Sequence, residues 1–158
     1  MEKKVYRSRV SVLLLLFITV TCGIVFIPII RYGGVFNPAG YIVAGTLIFC
    51  YAIFFGMSYT IISDRLFVKY FGIITQVNVE ISEIISVERS YNPLSSPAAS
   101  LKRLKICFKK GSKIKWPYCL ISPVREQEFL DTLKEINPDI YIRVNDKKGR
   151  LRIWDWDI

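Results

Sequence analysis

The chain has 158 residues, 52% of them hydrophobic, with 22 Lys and Arg against 13 Asp and Glu, and no histidine. The missing histidine removes the commonest general base and metal ligand. None of the four cysteines stands in a C-x-x-C spacing, which argues against a zinc ribbon or a thioredoxin-like redox motif.

The apolar excess lies in the first sixty residues, and ordinary charge density begins after residue 59. Residues 1–9 carry Lys3, Lys4, Arg7 and Arg9 and read as a basic flank. Residues 10–30, VSVLLLLFITVTCGIVFIPII, hold no charge. At 1.5 Å per residue they cover roughly 30 Å as a helix, the thickness of a bilayer's hydrocarbon core. The run is too long for a signal-peptide core, and Pro28-Ile29-Ile30-Arg31 offers no small-x-small cleavage site. Residues 31–40 form a link, with turn signals at Gly33-Gly34 and Asn37-Pro38. Residues 41–59 are again uncharged and predict a second span, with Tyr41 and Tyr59 as interfacial anchors. Gly45 and Gly56 are candidates for close helix approach.

Four cations precede the first span, Arg31 alone lies in the link, and Arg65 and Lys69 follow the second. The positive-inside rule therefore predicts a multi-pass membrane protein with both termini in the cytoplasm. Reduced cysteines agree with that compartment. With no charge inside either span, the hairpin offers no transport path.

Residues 60–144 change to a period of two. Leu66, Val68 and Tyr70, then Gln76–Ile81, then Ile84, Ile85 and Val87 predict short antiparallel strands. A loop, Asn92–Ser100, follows on composition. In Leu101–Lys109, Leu104, Ile106 and Phe108 share one face, and Arg103, Lys105, Cys107 and Lys109 the other. In Lys113–Tyr118, Ile114, Trp116 and Tyr118 form the apolar face. A three-residue turn, Lys110-Gly111-Ser112, would set Phe108 against Ile114, Ile106 against Trp116 and Leu104 against Tyr118. Ser122 and Pro123 read as the cap and first position of a helix whose apolar stripe is Phe129, Leu130, Leu133 and Ile136. Asn137-Pro138 ends it, Ile140–Val144 suggests a short strand, and residues 145–158 form a tail.

The fold class is thus a membrane α-hairpin plus a mainly-β (α+β) soluble domain. Antiparallel strands followed by one amphipathic helix describe a pleckstrin-homology-like (PH-like) roll. The loop Asn92-Pro-Leu with Ser95–Ser100, the strand Leu101-Lys-Arg-Leu-Lys-Ile, Ile121-Ser122-Pro123, Phe129, Leu133 and Asn137-Pro138 carry a resemblance to a family. About half the chain resembles the bacterial PH-like proteins of the YyaB-like type. The resemblance implies a PH-like barrel behind one or two helices of the bacterial cytoplasmic membrane, and no enzyme activity.

Two segments are candidates for recognition. The first is the anionic-surface set Lys102, Arg103, Lys105, Lys109, Lys110, Lys113 and Lys115, within fourteen residues. Anionic lipid would relieve the repulsion between Lys109 and Lys113, which face each other in that register. The same lysines also read as a solvated face that discourages edge pairing. The second is the serine loop, with Asn92, Ser95, Ser96 and Ser100 able to offer hydroxyl and N–H groups to a ligand. Trp116 and Tyr118 fall on the expected core face, so no nucleic acid is expected as a partner. No catalytic, metal or cofactor site is expected either. The readings that remain are a non-catalytic module binding a membrane protein partner or self-associating, a sensor of anionic lipid headgroups, and a bacteriocin-immunity-like or membrane-stress protein.

Overall fold

The structure, a computed structural model, describes residues 3–33, 38–90, 100, 102–109 and 116–145. The chain opens with a strand, β1 (Lys3–Arg7), and then two apolar helices, α1 (Val12–Gly33) and α2 (Pro38–Phe55). Six further strands follow: β2 (Met57–Ile62), β3 (Arg65–Tyr70), β4 (Ile74–Glu80), β5 (Ile84–Ser90), β6 (Arg103–Phe108) and β7 (Tyr118–Ile121). A 3-10 turn at Ile81–Glu83 joins β4 to β5. Helix α3 (Glu126–Ile136) and strand β8 (Tyr141–Arg143) complete the described fold.

The strands form two four-stranded sheets, in the orders β1-β2-β3-β4 and β7-β6-β5-β8. All neighbours are antiparallel except β8, which runs parallel to β5. One core fills the space between them, with Tyr59, Leu66, Val68, Ile81, Val87, Leu104, Ile106 and Ile121 all buried. Helix α3 inserts Phe129, Leu130 and Leu133 into that core, the stripe its sequence period predicts. The arrangement is the PH-like α+β fold expected above.

Residues 3–9 are more than a basic flank. Strand β1 pairs with β2 from Lys3↔Ile62 to Arg7↔Ser58, so the helical hairpin is an insertion between two neighbouring strands. Tyr6 stacks edge-on against Phe129, with ring centroids 5.2 Å apart, and its hydroxyl lies 3.0 Å from Thr132 Oγ1. Without β1, α3 would lose one wall of its seat.

The second apolar run also divides differently. Helix α2 stops at Phe55, and Met57–Tyr59 belong to β2. Tyr59 is completely buried in the roll and is not an interfacial anchor. Its uncharged neighbours extended the apparent span, because a buried strand and a membrane helix share the same composition. Helix α1 runs three residues past the expected boundary, to Gly33.

Both helices are long and apolar enough to cross a membrane. Their apolar side chains project outward all round: Phe17, Ile24, Ile27, Ile42, Ile48 and Phe49 are each more than 60% exposed. A helix from a soluble core would bury them. The glycines do not mediate the helix contact as anticipated. A Cβ on Gly45 would meet open space, whereas one on Gly56 would meet the ring of Phe71, 2.6 Å away.

Candidate functional site

The roll has two ends. At the helical end, α1 and α2 leave directly from the β1–β2 ladder. Arg7 is the last residue of β1, and Gly56 alone separates α2 from β2. At the far end lie the β2–β3 turn and the 3-10 turn, tied together by Ile81 N–H donating to Asp64 O at 2.8 Å.

A polar cluster closes the helical end. The Tyr59 hydroxyl lies 2.9 Å from Ser8 Oγ and accepts the Ser122 N–H at 3.0 Å. Ser8 Oγ and Ser122 Oγ are 3.1 Å apart, and Arg9 N–H donates to Ser122 O at 2.6 Å. Burial pushes the Tyr59 pKa up to about 12, so the phenol stays neutral. Ser122 is therefore not the helix cap its Ser-Pro sequence suggests. Helix α3 starts at Glu126, and Ser122 is buried, its side chain engaged with Ser8. The Ser8↔Pro123 bridge then carries the chain past β1 before the helix begins.

A buried ion pair went unnoticed in the sequence. Arg89, on β5, forms a two-point contact with Glu126 in the first turn of α3, at 2.8 and 2.5 Å. Its only sequence signal is an arginine on the same phase of the strand as Val87, where alternation points inward although a charged side chain ordinarily reads as exposed.

The lysine segment divides between these surroundings. Arg103 is buried and donates through Nε to Ser100 O, which removes it from an outward-facing cationic surface. Burial also lowers its pKa. Lys102 is half-buried, and its N–H donates to Ser100 Oγ at 3.0 Å. Ser100 itself is buried, so its hydroxyl shapes the entry to β6. Lys105 is half-exposed, its ammonium 5.0 Å from the centre of the Tyr118 ring. Lys109 is exposed at the far end, its N–H donating to Glu83 O at 2.9 Å. Lys110, Lys113, Lys115, Asn92, Ser95 and Ser96 lie outside the described residues.

The expected hairpin register is overturned. Leu104 opposes Ile121, Ile106 opposes Cys119, and Cys107 opposes Tyr118, a shift of three residues along the second strand. Pro117 explains where the ladder stops, because it has no N–H and offers only its carbonyl, to Phe108 N–H at 3.1 Å. Cys119 and Ile121 take the core positions, while Trp116 is 65% and Tyr118 37% exposed. The expected facing of Lys109 and Lys113 involves Lys113, which lies outside the described residues. The core placement of Trp116 and Tyr118, on which the exclusion of nucleic acid rests, falls with that register.

The lysine set itself spans the roll. Strand β5 ends at Ser90, paired with Arg103, at the helical end, so Lys102 and Arg103 lie there, where the serine loop leaves β5. Strand β6 ends at Phe108, opposite Ile84, so Lys109 lies at the far end. Among the described residues there is no group of His, Cys, Asp and Glu able to hold a metal ion. No disulfide links the cysteines, and burial pushes the Cys119 thiol up to about 12, leaving it inert.

The family model described as Bacterial PH domain matches residues 57–137. No curated protein matches the chain. A similar chain occurs in a solved structure titled "Structure of the Spt16D Pob3N heterodimer". The two share 13% identity with a TM-score of 0.36, over 60% of this chain and 48% of that one. This chain thus spans about half of that chain's length.

Proposed function

The chain belongs to the bacterial PH domain family, and from that premise we propose that it is a non-catalytic interaction module held on the cytoplasmic membrane. The α1–α2 hairpin is the anchor. The roll presents its far end to an acidic surface on a protein partner in the cytoplasm.

One observation carries this reading: the helices leave β1 and β2 at one end of the roll, whereas Lys109, just past the end of β6 in the other sheet, stands at the opposite end beside the 3-10 turn, its N–H donating to Glu83 O. Six strand residues span about 20 Å. Screening at physiological salt acts over about 8 Å. Lys109, standing that far from the bilayer, feels little of its surface charge, which weighs against a sensor of lipids in the protein's own membrane. A protein partner can reach it. Exposed Trp116 supplies the apolar contact that binding surfaces need beside charge.

The test replaces Trp116 with a photo-crosslinking amino acid in the full-length chain, in membranes of a bacterial host carrying the native gene. A crosslink to a second protein, lost when Lys105 and Lys109 are changed to Glu, supports the reading. Crosslinks confined to lipid, to nucleic acid or to another copy of the chain would overturn it.

A further inference from the structure

The turn between β3 and β4 has the wrong residues for its shape. Ile73 N–H donates to Tyr70 O at 3.1 Å, and the two central residues, Phe71 and Gly72, have φ of 52° and 70°. Positive φ at both positions is the geometry for which Asn-Gly is preferred. A bulky aromatic in the left-handed region is an outlier. Such outliers gather where contact with a ligand offsets their cost.

What surrounds this turn is equally unusual. Phe71, Ile73 and Ile74 are 51%, 84% and 61% exposed, so three large apolar side chains project from one hairpin tip. The tip stands beside the exit of α2. Phe71 N–H donates to Gly56 O at 2.6 Å, continuing the β2–β3 ladder to the residue that follows the helix. The Phe71 ring lies against Gly56, and Phe55, the last residue of α2, is itself 55% exposed. Two rows further into the roll, Arg7 and Lys69 both pair with Ser58, on one face of the sheet.

We propose that Phe71–Ile74 is a second membrane contact, an apolar wedge seated at the headgroup–acyl boundary of the leaflet in which α2 ends. This rests on the anchor reading above. Helix α2, at 18 residues, rises about 27 Å. Its last residue then reaches the edge of the hydrocarbon core, and the ladder holds Phe71 at that same level. The order of chemistry fits an interface. Exposed Phe and Ile come first, then the cations of Arg7 and Lys69 at headgroup depth. With both α2 and the turn engaged, the roll is held at a fixed tilt, and its far end keeps facing away from the bilayer.

The experiment uses full-length chain in vesicles, with Trp116, Trp154 and Trp156 changed to Phe and a single new Trp introduced in turn. Ile73→Trp reports the wedge, Ile48→Trp the middle of α2, and Asp64→Trp the far end. The quenchers are lipids brominated either near the headgroup or near the terminal methyl. The expected result is that Ile73→Trp loses most of its emission to the shallow bromines, Ile48→Trp to the deep ones, and Asp64→Trp to neither. Quenching at Ile48 without quenching at Ile73 would overturn the wedge and leave the anchor standing, even if the Ile73→Trp emission were shifted to the blue by protein contact. Absence of quenching at Ile48 would overturn the anchor and the wedge together.

Discussion

Ser8 and Tyr59 meet side chain to side chain, with their oxygens 2.9 Å apart, at the neck from which the helical hairpin leaves the roll. Ser8 precedes α1 and Tyr59 follows α2, so this contact closes the hairpin at its base. The Ser122 N–H completes the clamp from the second sheet. The neck is thus a rigid joint, in which a buried phenol on β2 ties together groups from two other segments, Ser8 and Ser122.

Removing that phenol should loosen the joint. Tyr59→Phe leaves the Ser122 N–H buried without its acceptor, at a cost of about 1–3 kcal/mol. The expected outcome is a lower thermal midpoint for the full chain in detergent, with the helical content of α1 and α2 unchanged.

The same burial makes the fold sensitive to alkali. The Tyr59 pKa rises from 10.0 to about 12, and that of Cys119 from 9.0 to about 12. The unfolded chain loses these protons first, at their ordinary values. Their contribution is therefore complete below about pH 9 and declines as the pH rises toward 12. The decline is about 1.4 kcal/mol per pH unit for each group. Alkaline unfolding followed by circular dichroism should be flatter in Tyr59→Phe and Cys119→Ala than in the unsubstituted chain.

The Arg89–Glu126 pair should behave as a buried ion pair does. Arg89 and Glu126 side chains are only 5% and 16% exposed, so breaking the pair strands a charge. Arg89→Met alone should cost about 3–5 kcal/mol, whereas Arg89→Met with Glu126→Leu should recover most of that loss. Denaturant titration of the three chains checks it.

Gly45, inside α2, and Gly56, between α2 and β2, separate two roles for glycine. A Cβ on Gly56 would fall 2.6 Å from the Phe71 ring and 2.7 Å from the Ala52 carbonyl, whereas nothing lies within 4 Å at Gly45. Gly56→Val should therefore destabilise the chain by about 1–3 kcal/mol, and Gly45→Ala should leave the thermal midpoint unchanged.

Much of the roll was legible because its strands alternate and its last helix carries a clean stripe. Leu66 with Val68, Leu104 with Ile106, and Phe129 with Leu133 all lie in the core that periodicity assigned them. Three kinds of feature were not legible. Strand β1 hides as a membrane flank, because Lys3, Lys4 and Arg7 dominate its composition while Tyr6 alone points inward. Tyr59 was absorbed into a span, because hydropathy cannot tell a lipid-facing residue from one inside a roll. The β6–β7 register failed because Trp116 and Tyr118 looked like core residues, and nothing local shows that Cys119 and Ile121 take those places. The candidate site suffered most from this. Whether a lysine faces a bilayer or the cytoplasm depends on which end of a strand it leaves, and topology alone decides that.

The account depends on a hairpin that crosses the membrane and a roll that stands in the cytoplasm. The most direct measurement is labelling by a membrane-impermeant maleimide, in intact and permeabilised cells, of full-length chains carrying Asn37→Cys or Lys109→Cys, each compared with the unsubstituted chain. The account predicts that Asn37→Cys is labelled in intact cells and Lys109→Cys only after permeabilisation. Labelling of Lys109→Cys in intact cells, or equal labelling of both before permeabilisation, would contradict it.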